Sequence, residues 1–245
     1  MSVSAAKPRY EKILIKLSGE GLAGEGRQGI DPELLDAIAL QLGQLRGIGV
    51  KVSAVIGGGN LFRGEGLQKF GLNRIAGDHI GMLATIMNGI ALRDALERKN
   101  IPAALLSSIG MEGIVERYDQ RTAKALLESG NVVLFVGGIG NPLFTTDTSA
   151  CLRAIEIEAD LVLKATQVDG VYSSDPAQDP DAELYEQLDF ATAIDNQLGI
   201  MDLTALCLLR DFDIPLRVFS MQRLENICDI VLGKSIGTLV GGQSA

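Results

Sequence analysis

Short apolar runs separated by segments of helical periodicity constrain the fold of this chain more than any other feature. The clearest runs are residues 13–17, 50–56, 132–136 and 161–164. Asp31 and Pro32 are typical of a helix start, and apolar residues follow them at helical spacing: Leu34, Leu35, Ile38, Leu42 and Leu45. Nearly continuous apolar runs of this kind are typical of strands buried on both faces of a parallel sheet. The alternation therefore predicts an α/β fold in one compact domain.

The charge balance and the lack of long apolar runs exclude several classes of protein. The formal net charge is −9, from 22 basic and 31 acidic residues. Nucleic acids and anionic membranes attract excess lysine and arginine, so neither is an expected partner. The longest nearly apolar stretch, residues 80–92, is shorter than the roughly 20 residues of a membrane span. Residues 1–9 lack the apolar segment of an export signal, so we expect a cytoplasmic protein with reduced cysteines.

Two of the predicted strands end in lysine. Lys16 follows Ile13-Leu14-Ile15, and Lys164 follows Leu161-Val162-Leu163. An unpaired ammonium in a sheet core is costly, so each lysine should lie at a strand end facing an anion. The carboxyl ends of parallel strands share one edge, where the two lysines would bind more than one phosphate. Taken alone, Lys16 could equally extend from a strand end into water. A second lysine in the same position, Lys164, favours the phosphate site.

Glycine clusters follow the first two strands. Gly57-Gly58-Gly59 has no side chains to keep backbone N–H groups from phosphate oxygens, although a simple tight turn is the alternative. Residues 24–29 match Gly-x-Gly-x-x-Gly, but the strand ends near Ser18 and the helix starts only after Gly29. A dinucleotide-binding turn follows its strand directly. We interpret that match as chance or as a flexible loop, and the P-loop pattern is absent.

Three aspartates, Asp78, Asp147 and Asp202, stand where helices are expected to begin. Each could be only an N-cap, but helix N-termini at this sheet edge also face the ligand cleft, so capping and function are compatible. A turn explains Asp175 equally well. The chain has a single histidine, His79, for which we expect a structural role at a helix start. With only one histidine, nucleophilic catalysis that depends on histidine and a metal cluster are not expected.

Six segments together resemble the amino acid kinase superfamily and, within it, bacterial-type UMP kinases: residues 16–20, 57–64, 77–82, 140–147, 164–172 and 201–203. The resemblance implies a three-layer αβα sandwich with an open, mostly parallel sheet. It implies a single domain, residues 1–245, with a UMP lobe at about 1–160 and an ATP lobe at about 161–245. It also implies a homohexamer that makes UDP and ADP from UMP and ATP in pyrimidine nucleotide synthesis, with UTP as inhibitor and GTP as effector.

The resemblance also implies a role for individual residues. The residues expected to act in phosphoryl transfer are Lys16, Arg63, Asp147, Lys164 and Asp202. Those expected to bind ATP are Lys16, Leu17, Ser18, Gly19, Gly59, Arg63, Thr166, Tyr172 and Asp175. Those expected to bind UMP are Gly58, Asp78, Ile139, Gly140, Asn141, Pro142, Leu143, Phe144, Thr145 and Thr146. Mg²⁺ would bridge the ATP phosphates without an all-protein site.

The expected chemistry needs few groups. Lys16 and Arg63 would hold the phosphates, Asp147 would orient the lysines, and Asp202 would hold the same network from the other lobe. The second phosphate pKa of about 6 leaves the acceptor oxygen ionised at pH 7, so no general base is required.

Three alternatives stay open. Some members of the family carry basic residues for GTP where this chain has Ala104 and Asn131, with Arg93 and Arg121 nearby, which puts GTP activation in question. A carboxylate or carbamate acceptor would keep the fold, but Asp78 would repel it. A non-catalytic nucleotide sensor would be expected to lack Lys16, Arg63 or Asp147.

Overall fold

The computed structural model describes residues 7–24, 28–62, 71–176 and 178–242. Its strands are β1 (Lys12–Leu17), β2 (Lys51–Ile56), β3 (Ala103–Ser107), β4 (Glu116–Arg117), β5 (Val132–Val136), β6 (Leu161–Thr166), β7 (Val171–Tyr172), β8 (Leu184–Tyr185), β9 (Gln187–Leu188), β10 (Leu216–Ser220) and β11 (Thr238–Val240). Its helices are α1 (Pro32–Gly47), α2 (Arg74–Arg98), α3 (Gln120–Glu128), α4 (Thr146–Ile157), α5 (Phe190–Asp195), α6 (Leu203–Asp211) and α7 (Asn226–Val231), with a 3-10 turn at Glu20–Leu22.

Nine strands form one sheet in the order β4-β3-β5-β2-β1-β6-β10-β11-β9. Every neighbouring pair is parallel except β10 and β11. The remaining strands, β7 and β8, pair with each other in an antiparallel hairpin. The last strand in the chain, β11, does not lie at the edge of the sheet, because β9 pairs beyond it. The four mostly apolar runs became central strands, as their near-continuous apolar sequence predicted.

Alternate residues of the central strands face two separate apolar clusters. Ile13, Ile15 and Leu17 pack in the cluster that contains the buried faces of α1, α2 and α7. Leu14 faces the opposite way, into the cluster that contains buried residues of α3, α4, α5 and α6. Successive side chains of a strand point to opposite faces, so both faces are covered. The predicted α/β class and the three-layer sandwich are confirmed.

Helix α2 starts before Asp78, where the sequence predicted its beginning. It starts at Arg74 after Asn73, whose side chain accepts a hydrogen bond from the Ile75 N–H group at 2.8 Å. The residues before Asp78 lack apolar periodicity, which concealed this start. By length and composition this helix of 25 residues could cross a membrane. Ten of its residues are nevertheless buried, and several of them pack with the sheet in the core, so α2 has the character of a core helix.

Candidate active site

Lys16 and Lys164 lie side by side at the carboxyl edge of the sheet. They are register partners on β1 and β6, so their side chains leave the same face of the sheet. Asp147 lies in the first turn of α4, and its two oxygens contact the two ammonium groups: Oδ1 is 2.9 Å from Lys16 Nζ and Oδ2 is 2.9 Å from Lys164 Nζ. Lys164 also donates a hydrogen bond to the Ile200 carbonyl. The three side chains form one cluster of two cations and one anion.

Burial makes this cluster electrostatically strong. The three side chains are only 12–15% exposed. Burial alone would raise the pKa of Asp147, but the charges and hydrogen bonds of Lys16 and Lys164 outweigh it and hold that pKa below its ordinary value. Burial lowers the pKa of Lys164, and repulsion from Lys16 adds to the effect against the attraction of Asp147. The ionised cluster carries one net positive charge in a protein whose net charge is −9, which suits it to phosphate.

Asp202 joins the starts of two helices rather than the lysines. It accepts hydrogen bonds from Thr145 Oγ1 at 2.5 Å and from Thr148 Oγ1 at 2.9 Å, and it caps α6 through the Ala205 N–H group. Asp202 was expected to hold the lysine network, but in this structure its carboxylate binds these two threonines and the start of α6 instead. Thr145 itself caps α4 by accepting from the Asp147 N–H group at 3.0 Å. Asp147 is thus not an N-cap, which leaves both of its oxygens for the lysines.

The glycines after β1 and β2 meet at very short distances. A Cβ atom on Gly19 would lie 2.4 Å from the Gly59 nitrogen, and one on Gly57 would lie 2.7 Å from the Gly19 nitrogen. A Cβ on Gly58 would lie 2.8 Å from the Gly81 carbonyl oxygen of α2. The triglycine segment therefore forms a tight turn and also allows another stretch of backbone to approach it closely. The backbone that approaches these glycines in this structure is that of the protein itself.

Two buried amides hold this turn in place, and sequence reasoning missed their role. Asn60 and Asn88 exchange hydrogen bonds at 2.7 and 3.0 Å. Asn88 also donates to the Gly57 carbonyl at 2.7 Å, and Asn60 donates to the Gly29 carbonyl at 2.6 Å. Both side chains are buried, so unpaired amide groups there would be costly. Asn88 interrupts the apolar pattern of α2, which was the one available signal.

A cleft of 430 Å³ opens beside Lys164. Its walls include three residues of the predicted ATP set: Thr166, Tyr172 and Asp175. The loop of residues 196–200 also lines this cleft. It carries no sequence motif and was not predicted. Leu17, also in the predicted set, is buried in the apolar core, and its carbonyl accepts from the Gly57 N–H group. Ser18 and Gly19, which also belong to the predicted ATP set, directly follow Leu17 in the chain.

A second cleft, of 180 Å³, lies between the glycine turn and α2. Its lining contains five predicted nucleotide-binding residues: Gly58, Gly59, Asp78, Phe144 and Thr146. The other predicted acceptor residues are Ile139, Gly140, Asn141, Pro142, Leu143 and Thr145; they belong to the same loop but are not part of this lining. Arg63 lies outside the described residues, as do residues 25–27 of the Gly24–Gly29 loop.

Asp78 lies in the second turn of α2, not at its start, so the N-cap alternative for this residue is wrong. Its carboxylate accepts from Arg74 Nε at 3.0 Å and from the Leu143 N–H group at 2.8 Å. Leu143 has a φ of 74°, a conformation that is unfavourable for leucine. Asp78 therefore fastens the 137–146 loop to α2 at the mouth of the second cleft.

The fold belongs to a known class of phosphate-transferring proteins. The sequence model of the amino acid kinase family matches residues 11–220, and the chain belongs to that family. Uridylate kinases are among its most similar relatives. The uridylate kinase of Alcanivorax borkumensis is 60% identical over 233 residues, which cover 95% of this chain and 92% of the relative. That of Pseudomonas aeruginosa strain PAO1 is 58% identical over 238 residues, 97% of each chain.

Solved structures agree with this assignment. The crystal structure of a UMP kinase from Bacillus anthracis has a TM-score of 0.92 and 37% identity over 96% of this chain and 97% of that one. A UMP kinase from Ureaplasma parvum gives a TM-score of 0.90 at 36% identity, over 96% of this chain and all of the other. Within the amino acid kinase family, the chain is therefore a member of the uridylate kinases.

Proposed function

We propose that this protein transfers the γ-phosphoryl group of ATP to UMP, giving UDP and ADP. The observation that carries the proposal is that one charged cluster lines one cleft and directly adjoins, in the chain, a residue that lines the other. Lys164 lines the larger cleft, and Thr146, which lines the smaller one, directly precedes Asp147. A phosphate entering from either side would reach the net positive charge of the same cluster. The larger cleft takes ATP and the smaller takes UMP, in agreement with a UMP lobe at about 1–160 and an ATP lobe at about 161–245.

The reaction needs positioning and charge rather than a base. The second phosphate pKa of UMP is about 6, so its oxygen is ionised at pH 7 and can attack directly. Lys16 and Lys164 neutralise charge that spreads over the transferred group, and Asp147 fixes where the two ammonium groups point. Arg63 adds a further positive charge from the segment after the glycine turn. Backbone N–H groups of Gly58 and Gly59 donate to the phosphates.

The remaining predicted residues select the nucleosides. Asp78 accepts hydrogen bonds from the ribose hydroxyls of UMP, and residues 139–146 surround the uracil. Thr166, Tyr172 and Asp175 contact the adenosine of ATP, because they line the larger cleft. A carboxylate or carbamate acceptor is disfavoured, since the Asp78 carboxylate at the smaller cleft would repel a second carboxylate.

Mg²⁺ enters with ATP in this proposal. Both oxygens of Asp147 are already engaged by lysines at 2.9 Å, so the cluster offers no vacant carboxylate for a metal. The described part of the chain contains no group of three acidic, cysteine or histidine side chains able to hold one. This fits an ion carried by the substrate phosphates, where Mg²⁺ neutralises charge and keeps several waters.

An ADP-release assay tests the proposed function. The purified protein receives Mg–ATP with UMP, CMP, dUMP, acetylglutamate or carbamate as acceptor, each with and without GTP. We expect rapid turnover with UMP and much slower turnover with the other acceptors. Turnover with an amino-acid or carbamate acceptor would overturn the role of Asp78 and of residues 139–146. A lack of turnover with every acceptor would favour a nucleotide sensor.

Regulation and location belong to the same proposal. A third cleft, of 840 Å³, is lined by Arg93, Ala104 and Asn131 among others, and Arg93 lies 3.8 Å from Glu97. Few of the side chains that line this cleft are cationic, so we expect GTP to have only a weak effect on activity. The assays with and without GTP measure that effect. UTP resembles the acceptor in its uridine and is proposed to inhibit by occupying the UMP cleft. A cytoplasmic location follows from the role in pyrimidine nucleotide synthesis.

The outer face of α2 supports a proposed homohexamer. Ile80, Leu83 and Met87 form an exposed apolar stripe, and Met87 is 56% exposed. Such stripes are typical of surfaces that contact another protein, and here the partner is a second copy of the chain. We expect the protein to sediment as a hexamer and Met87→Glu to sediment as smaller species. Leu40→Glu, at an exposed leucine of α1, is the control and should sediment like the unsubstituted protein. A monomeric unsubstituted protein would contradict the assembly.

A further inference from the structure

We propose that Ser108, held by Arg153, is a positioning residue for the loop that surrounds the acceptor nucleotide. The inference rests on the proposed function for what the loop binds, but the contact itself is a feature of the fold. Ser108 follows β3 and lies outside the smaller cleft. Its Oγ donates a hydrogen bond to the Gly138 carbonyl at 2.7 Å, and Gly138 lines that cleft.

The direction of this hydrogen bond is fixed by chemistry. Arg153 Nη2 lies 2.9 Å from Ser108 Oγ, and a guanidinium can only donate. The serine oxygen therefore accepts from Arg153, and its single proton is left for the Gly138 carbonyl. Because the donor is charged, this relay is stronger than a bond between neutral groups.

Arg153 is itself held rigidly. It is buried, forms an ion pair with Glu156, and lies over the Tyr118 ring with 3.6 Å between its Cζ atom and the ring centroid. Tyr118 donates to the same Glu156 carboxylate at 2.7 Å. The partners of the guanidinium among the described residues are Ser108, Glu156 and Tyr118, none of which belongs to the lysine cluster, so Arg153 is assigned to the loop and not to the phosphates.

The turn that Ser108 holds needs such support. Gly137, Gly138 and Gly140 all have positive φ angles, of 76°, 58° and 88°. Glycine reaches these angles easily but also leaves them easily, so hydrogen bonds from outside the turn decide its shape. The Gly137 N–H group donates a hydrogen bond to Thr85 Oγ1 at 2.7 Å. The Thr85 hydroxyl in turn donates to the Met82 carbonyl, so the hydroxyls of two different segments of the chain hold the turn.

Two further hydrogen bonds hold the loop. Downstream of this turn the Leu143 N–H group reaches Asp78, and Thr145 reaches Asp202. Ser108 and Thr85 thus fix the beginning of the loop, while the two aspartates fix its end. Loss of the Ser108 bond should loosen the acceptor side of the site and leave the ATP cleft unchanged.

Ser108→Ala tests the inference, with Ser53→Ala as the matched control. Ser53 is a buried serine of β2 that donates to the Ile13 carbonyl at 2.9 Å, away from the loop. We expect Ser108→Ala to raise KM for UMP roughly three- to tenfold, the range for one lost hydrogen bond. KM for ATP and kcat should change by less than about twofold, as for a loss of uniform binding. Amide hydrogen exchange of residues 137–146 should become faster in Ser108→Ala only.

Thr85 supplies a second pair of variants. Thr85→Val removes the acceptor of the Gly137 N–H group and should weaken UMP binding, whereas Thr85→Ser keeps the hydroxyl and should restore it. An unchanged KM for UMP together with unchanged loop exchange in Ser108→Ala would overturn the inference. Equal effects in Ser53→Ala would also overturn it, because they would indicate general destabilisation. If the unsubstituted protein makes no UDP, the proposed function is wrong, and the exchange rates alone decide whether Ser108 holds the loop.

Discussion

Replacing Asp147 with asparagine is expected to lower kcat by about 100-fold or more, the usual cost of removing one preorganised charge from a transition-state site. The substitution keeps the shape but leaves Lys16 and Lys164 as two buried cations with no carboxylate between them. Their ammonium groups, now held 2.9 Å from Asp147 oxygens, would repel each other and lose their fixed directions. KM for UMP should change by less than about threefold, because acceptor binding also uses contacts away from this cluster. Steady-state kinetics with varied UMP measures both constants.

Asp160→Asn is the matched control for this substitution. Asp160 accepts backbone hydrogen bonds from Glu11 and Lys12 at 2.8 Å, at the opposite edge of the sheet, so its neutralisation should leave kcat unchanged. Equal losses of kcat and of UMP affinity in Asp147→Asn would contradict the orienting role.

The same variant gives a pH-dependence with a definite sign. The pKa of Asp147 is lowered in the folded protein, so its charge contributes stability above the unfolded-state pKa of about 3.9. That contribution is lost as the pH falls through the lower, folded-state value. The difference in free energy of unfolding between the unsubstituted protein and Asp147→Asn should be constant from about pH 5 to 8 and shrink below about pH 4. A difference that vanished near neutral pH would contradict an ionised, paired Asp147.

Gly19→Ala is expected to lower kcat/KM by about 100-fold, as for a 1 Å displacement of catalytic groups. It should also lower the free energy of unfolding by about 1–3 kcal/mol. The backbone at Gly19, with φ −58° and ψ −39°, is one that alanine adopts readily, so conformation is not the obstacle. The obstacle is the added Cβ, which would lie 2.4 Å from the Gly59 nitrogen. Either the loop after β1 or the glycine turn must move.

Gly47→Ala is the control for a glycine without such a neighbour. Nothing lies within 4 Å of a Cβ built there, at the end of α1. Alanine should stabilise the protein by up to about 1 kcal/mol through the unfolded state, with unchanged activity. Kinetics and thermal unfolding of both variants separate the two cases. Normal activity in Gly19→Ala would show that the contact between the two loops is not needed for phosphate transfer.

The sequence predicted the sheet well because its signal is local. Buried central strands are continuous apolar runs, and each of the four recognised runs became a central parallel strand. Short strands such as β4 and β9 contain only two residues each, and their pairing depends on neighbours far along the chain. Helix starts were predicted where a capping side chain is present, as at Asp31 and Asp202. The start expected at Asp78 was misplaced, because the helix begins at Arg74 with Asn73 as its cap. The start expected at Asp147 was right, although the capping residue there is Thr145.

For the site, the sequence by itself determined which chemistry is present: two strand-end lysines, a glycine turn and several aspartates. The tertiary structure alone decided their partners. Strand register set Lys16 beside Lys164, and the cap at Thr145 left Asp147 free to face both. The contacts of Ser108 with Arg153 and of Asn60 with Asn88 join residues 45 and 28 positions apart. Residue types and local spacing are written in the chain, but hydrogen bonds across such separations exist only once the layers have packed.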